Sequence, residues 1–275
     1  MDCAGWYRPG EPVPPDCIIR RMPELPLGLR PFLVGGGSLE AGETGFRLTL
    51  PPTPSGYADA QVDDYQGLPR SLFPWRPPLR LSLEARASHS APLGTLGFGF
   101  WNDPFAFGLG GAARRLPAAP RALWFFYGSP PNQLAFSQGA TGQGWLAASL
   151  DSPSLPAALL LPLAAGAFAL SRLPLGGRLA LGAIRRAATA QEAQLSAGLD
   201  QWHRYALEWG ESEARFSVDG ALALRVRKPP RAPLGFVAWI DNQYAALSPE
   251  RGIRFGVLPT AEAQWLELRE FSIGA

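Results

Sequence analysis

From residue 57 to the C-terminal end, apolar and polar side chains alternate in short runs separated by turn residues. The runs fall at 57–65, 79–87, 95–101, 122–127, 132–137, 178–184, 204–209, 214–218, 222–227, 235–240 and 265–273. A two-residue alternation is the mark of a strand with one buried face. Strands of this length at this spacing predict an antiparallel sandwich or barrel. The sharpest local signal is Asp219-Gly220 between the runs at 214–218 and 221–226. Both residue types tolerate the positive φ of a two-residue turn, so a tight hairpin is expected there.

Residues 1–56 read differently. They are rich in proline and glycine, with one short alternating run at 46–50, and are expected to form an N-terminal arm laid over a sandwich that occupies 57–275. Gly35-Gly36-Gly37 predicts a turn and not a nucleotide loop, because neither the GxGxxG spacing nor a following helix is present. A second departure is the stretch 155–170, apolar throughout yet interrupted by Pro156, Pro162 and Gly166. A membrane span needs about 20 uninterrupted apolar residues. The stretch therefore predicts short buried helices within an insertion at about 150–198, or an exposed apolar flap that meets lipid, an apolar ligand or a partner.

Composition narrows the class. With 31 glycines and 29 prolines in 275 residues, an all-helical bundle is disfavoured, and 47% hydrophobic against 17% charged residues excludes a disordered chain. The 25 basic and 23 acidic residues are spread without the dense basic stripe that a phosphate backbone requires, so nucleic acid is not an expected partner. The two cysteines, Cys3 and Cys17, bracket the proline-rich start and could close a disulfide or stay free. With only His89 and His203 beside them, and no CxxC or HExxH spacing, neither a metal nor a cofactor is expected. His203, flanked by Trp202 and Tyr205, reads as a hydrogen-bonded framework residue. The first residues lack the basic start and apolar core of a secretory signal, which suits a cytoplasmic chain or one already processed.

Three stretches carry a resemblance. Trp202-His203-Arg204-Tyr205-Ala206-Leu207-Glu208-Trp209, Ala214-Arg215-Phe216-Ser217-Val218-Asp219-Gly220 and Trp265-Leu266-Glu267-Leu268 resemble the C-terminal half of the laminarinase-like, family 16 glycoside hydrolases. Residues 81–86 and 96–101 are similar to that family's paired strands further upstream. The resemblance spans roughly residues 57–273 and implies a jelly-roll sandwich of the concanavalin A-like lectin/glucanase superfamily. It also implies a glycan ligand. Members of the family carry nucleophile and acid in an E-x-D-x-x-E strand, where retention needs two carboxyl groups about 5–5.5 Å apart. The corresponding residues here are Pro120-Arg121-Ala122-Leu123-Trp124-Phe125-Phe126-Tyr127, without an acid. No catalytic residue carries over.

Other residues supply candidate ligand contacts. Asp59, Gln61 and Asp63 alternate on one strand face, which suits a solvated face, a sugar or calcium site, or a rebuilt catalytic pair. Trp101-Asn102-Asp103 ends a strand in Asn-Asp-Pro, either as a turn or as an indole beside hydrogen-bonding groups for sugar hydroxyls. Trp239, Asp241, Asn242 and Tyr244 repeat that mixture at another strand end, where loops on a rigid sheet concentrate binding residues. Trp124 and Tyr127 occupy the family's catalytic strand, and one or both would line the groove, unless both are core.

The expected fold is thus an all-β, antiparallel jelly-roll sandwich of concanavalin A-like type, with an N-terminal arm and a short helical or irregular insertion. The expected function is non-catalytic glycan binding. The alternatives are a glycoside hydrolase-like enzyme built on Asp59, Asp63, Asp103 or Asp241, and binding of an apolar ligand or membrane surface through 155–170.

Overall fold

The computed structural model describes residues 25–104, 116, 118–133, 142–153, 189–231, 233–248 and 252–274, together with positions 159, 162, 165 and 166. In chain order the strands are β1 (Arg30–Val34), β2 (Ser38–Ala41), β3 (Gly45–Leu50), β4 (Asp59–Asp63), β5 (Leu79–Ala87), β6 (Thr95–Trp101), β7 (Arg121–Gly128), β8 (Gly144–Asp151), β9 (Thr189–Gln194), β10 (His203–Trp209), β11 (Glu213–Val218), β12 (Ala221–Arg227), β13 (Gly235–Asp241), β14 (Gln243–Ser248), β15 (Gly252–Val257) and β16 (Gln264–Gly274). They build two seven-stranded antiparallel sheets, ordered β1-β4-β13-β6-β7-β8-β9 and β12-β11-β10-β5-β16-β3-β2, with β14 and β15 as a separate hairpin. This is the all-β jelly-roll sandwich that the alternation and the resemblance imply.

The core lies between the sheets, where the apolar half of each alternation is turned inward. In β6 the sequence Leu96-Gly97-Phe98-Gly99-Phe100 sends Leu96, Phe98 and Phe100 inward, each fully buried. Phe98 meets Phe125, Trp145 and Tyr205 at ring separations of 5.2–5.8 Å. Phe100 meets Trp209 and Phe236 at 5.7 and 6.0 Å. Burying one such ring contributes on the order of 2–3 kcal/mol, so this aromatic column is a main source of the sandwich's cohesion. Trp145 donates from Nε1 to the Tyr205 hydroxyl at 3.2 Å, which satisfies both polar atoms inside the core.

Local signals place the turns. Asp219 and Gly220 take φ of +50° and +81° between β11 and β12, the geometry expected of a two-residue hairpin. His203, at the start of β10, pairs with Asp219 of that turn at 2.6 Å, in keeping with a framework role. The triple glycine is a turn, and it carries the chain from one sheet to the other. Gly35 has φ +60°, and a Cβ there would stand 2.1 Å from the Tyr57 carbonyl oxygen, so only glycine fits.

The sandwich starts earlier than residue 57. Of the arm expected over residues 1–56, residues 30–50 contribute three strands, β1 to one sheet and β2 and β3 to the other. Their alternation is short and broken by glycines, and long-range pairing, Phe46 opposite Leu268 among it, supplies the order that local pattern lacks. Residues 1–24 lie outside the described residues. The insertion expected at about 150–198 is narrower, because β8 runs to Asp151 and β9, Thr-Ala-Gln-Glu-Ala-Gln, pairs along it. Apart from the four positions named above, residues 154–188 lie outside the described residues, and with them most of the apolar stretch and the strand expected at 178–184. Asn132 belongs to no strand, and Gln133 makes only an isolated bridge to Ala246.

Candidate functional site

The first sheet has a second face, turned away from the core, and its residues follow from the register. Across β4, β13, β6 and β7 the rows read Asp59–Asp241–Thr95–Gly128, then Gln61–Trp239–Gly97–Phe126, then Asp63–Val237–Gly99–Trp124. A fourth row holds Gly235, Trp101 and Ala122. Carboxylates and an amide therefore border a floor of three indoles and a phenyl ring.

The glycines of β6 make that floor. With no side chain at position 97, the Trp239 ring crosses the strand, and a Cβ placed there would lie 2.8 Å from Trp239 Cη2 and 2.4 Å from the Phe125 carbonyl oxygen. Trp101 and Trp239 are parallel within 6° at 6.3 Å, and Trp124 lies 5.9 Å from Trp101 and 5.6 Å from Trp239. Phe126 stacks on Trp124 at 5.6 Å. Trp101, Trp124 and Phe126 remain partly exposed, whereas Trp239 is 8% exposed. The end near Trp101 is covered by Tyr65 and Phe73, stacked at 4.8 Å, and the Tyr65 hydroxyl accepts from Trp101 Nε1 at 2.6 Å.

The acidic border has two different parts. Asp241 and Asp59 are cross-strand partners on the same face, both 2–3% exposed. Asp241 Oδ1 accepts from the Thr95 hydroxyl at 2.7 Å and from the backbone N–H groups of Thr95 and Gln243 at 3.3 Å each. Its Oδ2 accepts from the Gln243 side-chain amide at 2.5 Å. Even so, burial outweighs these bonds and raises its pKa to about 7. Asp59 is raised well above the carboxylate range, first by burial and then by the facing Asp241 charge, against a lowering hydrogen bond from the Tyr57 hydroxyl. Tyr57 is itself raised, chiefly by burial and then by the same two carboxylates.

Asp63 stands at the other end of β4. It accepts from the side-chain amides of Gln61 and Gln66 at 3.1 and 3.0 Å and from the Tyr65 N–H at 3.2 Å, and burial raises its pKa. Asp64 points the opposite way, accepting from Trp75 Nε1 and, at 2.9 Å, from the Phe236 N–H; burial raises it to about 6. Among the described residues no three His, Cys, Asp or Glu side chains gather as a metal cluster.

The structure thus brings Asp59, Gln61, Asp63, Trp101, Trp124, Trp239 and Asp241 onto one face. Other candidates lie elsewhere. Tyr127 is in the core, 6% exposed, because its place in the alternation is shared with Leu123 and Phe125; the groove-facing residue is Phe126. Asn242 is a strut. Its Oδ1 accepts from the Ala58 N–H at 2.9 Å and its Nδ2 donates to the carbonyls of Gly56 and Leu258 at 3.0 Å each, so both amide hydrogens are committed and the side chain is fully buried away from any ligand. Asn102 likewise takes the Arg121 N–H and donates to the Ala119 carbonyl, both at 2.9 Å, which makes the strand end a turn. Asp103 adopts φ +46° at that turn and contributes its carbonyl oxygen to Arg70 at 2.5 Å, while its charge is near enough to Asp63 to add to the rise in that pKa. Tyr244 belongs to the β14–β15 hairpin, its ring over Gly256, and not to the aromatic floor. Reading residues alone missed Phe126, Thr95 and Tyr57. Phe126 was recoverable from its two-residue offset from Trp124, whereas Thr95 meets Asp241 only through the register of β6 and β13.

No family model and no curated protein matches the chain. Solved structures do. A legume lectin-like domain from Entamoeba histolytica is 8% identical, covers 90% of this chain and 89% of its own, and superposes with a TM-score of 0.45. The GH16 of a Bacteroides ovatus mixed linkage glucan PUL, in complex with a G4G4G3G product, is 10% identical over 86% of this chain and 85% of its own, with a TM-score of 0.45. A sialidase is 8% identical with a TM-score of 0.40; the match covers 90% of this chain, which spans 17% of that protein. All three are 8–10% identical to this chain, with TM-scores of 0.40–0.45. The likeness is one of architecture.

Proposed function

We propose that this protein binds a glycan on the outer face of the first sheet without cleaving it. The observation that carries the reading is the floor of Trp101, Trp124, Phe126 and Trp239 bordered by Gln61 and Asp63. Indole faces stack on the apolar face of a sugar ring, and neighbouring amide and carboxylate groups take its hydroxyl hydrogens. The strand that resembles the catalytic strand of the family 16 hydrolases supports this, since it presents Trp124 and Phe126 to that face and no acid.

A second reading, a glycoside hydrolase with a rebuilt carboxylate centre, is favoured by one observation: Asp59 and Asp241 sit opposite each other with raised pKa values, the combination that separates an acid from a base. Their burial weighs against it, because a reacting carboxylate must touch its substrate. Titration of intrinsic tryptophan fluorescence with soluble β-glucans, xylans, mannans and short oligosaccharides tests both. Saturable quenching or enhancement by one glycan, lost in a folded Trp101→Ala or Trp124→Ala variant, without release of reducing ends, supports binding. Release of reducing ends that Asp241→Asn abolishes supports the hydrolase, and a flat response across the panel rejects both.

A further inference from the structure

Asp59 and Asp241 differ in how they are held. Asp241 receives three hydrogen bonds from Thr95 and Gln243 on one oxygen and one from the Gln243 amide on the other. Asp59 has the Tyr57 hydroxyl, and its buried Oδ1 has no hydrogen-bond partner. Residues facing each other on antiparallel strands have Cβ atoms ~5 Å apart, so two buried carboxylates at these positions cannot both stay ionised without a counter-charge.

Among the described residues, the groups around the pair supply no such charge. Tyr57 is neutral, Asp63 lies four positions along β4 on the same face, β1 places Val34 opposite Asp59, β6 supplies Thr95 and the start of β14 supplies Gln243. Arg30 stands opposite Asp63, four positions from the pair along β4. A cation at Asp241 would have to displace the four donors already pointing at it. A proton on the unpartnered Asp59 oxygen removes one charge and displaces nothing.

Resting on the glycan-binding reading, we propose that Asp59 and Asp241 work as one proton-holding unit, Asp59 as the neutral acid and Asp241 as the carboxylate, which positions the Trp239 indole of the binding floor. The connection is direct: Trp239 Nε1 donates to Thr95 Oγ1 at 3.0 Å, and the Thr95 hydroxyl donates to Asp241 Oδ1 at 2.7 Å. Loss of the shared proton sets two like charges against each other across β4 and β13, and the relay carries the resulting shift of Asp241 to the indole. Asp59 and Asp241 are positioning residues in this scheme and need not touch the ligand.

The test reads the pair with and without glycan. In ¹³C-labelled wild-type protein, the Asp59 side-chain carboxyl resonance keeps the shift of a protonated acid at pH 7. Tryptophan fluorescence of the glycan-free protein shows a pH transition above that of Asp64, and Asp59→Asn, which cannot ionise, abolishes it while Asp200→Asn at an exposed position leaves it intact. Glycan affinity of the wild type falls about tenfold across the same transition and that of Asp59→Asn stays flat. An ionised Asp59 at pH 7, or a wild-type fluorescence signal flat from pH 5 to 9.5, overturns the proposal whether or not the Asn variant folds. A pair that titrates as stated in a protein that binds no glycan overturns the glycan reading alone.

Discussion

Replacing Asn242 by alanine separates a strut from a ligand contact. The side chain is fully buried and makes three hydrogen bonds that tie the segment before β4 to the end of β13 and to the segment after β15. The alanine variant leaves the buried Ala58 N–H without a partner, at a cost of ~1–3 kcal/mol, while Gly56 is exposed and Leu258 partly so, and water restores much of those two bonds. Adding a small cavity contribution gives a loss of about 3 kcal/mol, which for a chain of this size lowers the thermal midpoint by roughly 6–10 °C. Asn242→Asp is expected to lose at least as much, because it turns carboxylate oxygens toward two carbonyls beside Asp241. Differential scanning calorimetry measures the loss, and fluorescence titration below the transition measures glycan affinity, expected within about threefold of wild type for Asn242→Ala. An Asn242→Ala protein with unchanged melting and abolished glycan binding refutes the strut assignment.

Other expectations follow from the same geometry. Trp124→Ala is expected to weaken glycan binding about tenfold, from ~1.4 kcal/mol of lost apolar contact, with the melting temperature nearly unchanged. Gly97→Ala places a methyl group 2.4 Å from a carbonyl oxygen and 2.8 Å from the Trp239 ring, so a destabilisation of ~1–3 kcal/mol in urea unfolding together with weakened binding is expected. On the opposite sheet, Arg269 and Arg86 lie 3.9 and 4.7 Å over the Trp202 ring; Trp202→Ala is expected to cost ~1 kcal/mol of stability and leave binding unchanged. The folded chain holds a proton on Asp64 and one on the Asp59–Asp241 pair that the unfolded chain has lost above about pH 4. Stability therefore falls as pH rises through about 6 for Asp64 and further as the pair gives up its proton, then levels, and a higher urea midpoint at pH 5 than at pH 8 checks the sign.

By itself the sequence determined the architecture and several of its details. The alternation set which residues of β5, β6, β7, β10 and β16 turn inward, since period 2 belongs to the strand and not to its neighbours. Asp219-Gly220 specified its hairpin through backbone preferences alone, and the Asp59, Gln61, Asp63 face was legible from spacing. The tertiary structure decided what depends on register and burial. Nothing local distinguishes Asn242 from Asp241, yet one is consumed by three backbone groups and the other faces a second carboxylate. The pairing of Asp59 with Asp241, the Thr95 relay and the Trp239 ring lying over Gly97 all join residues far apart in the chain. Strands β2 and β9 carry too few apolar positions to announce themselves, and β1, Arg-Pro-Phe-Leu-Val, is short and shows no alternation; all three order because neighbouring strands offer hydrogen-bonding edges. Whether Trp124 or Tyr127 reached the outer face turned on the phase of β7, which is set by burying Leu123 and Phe125 against the facing sheet.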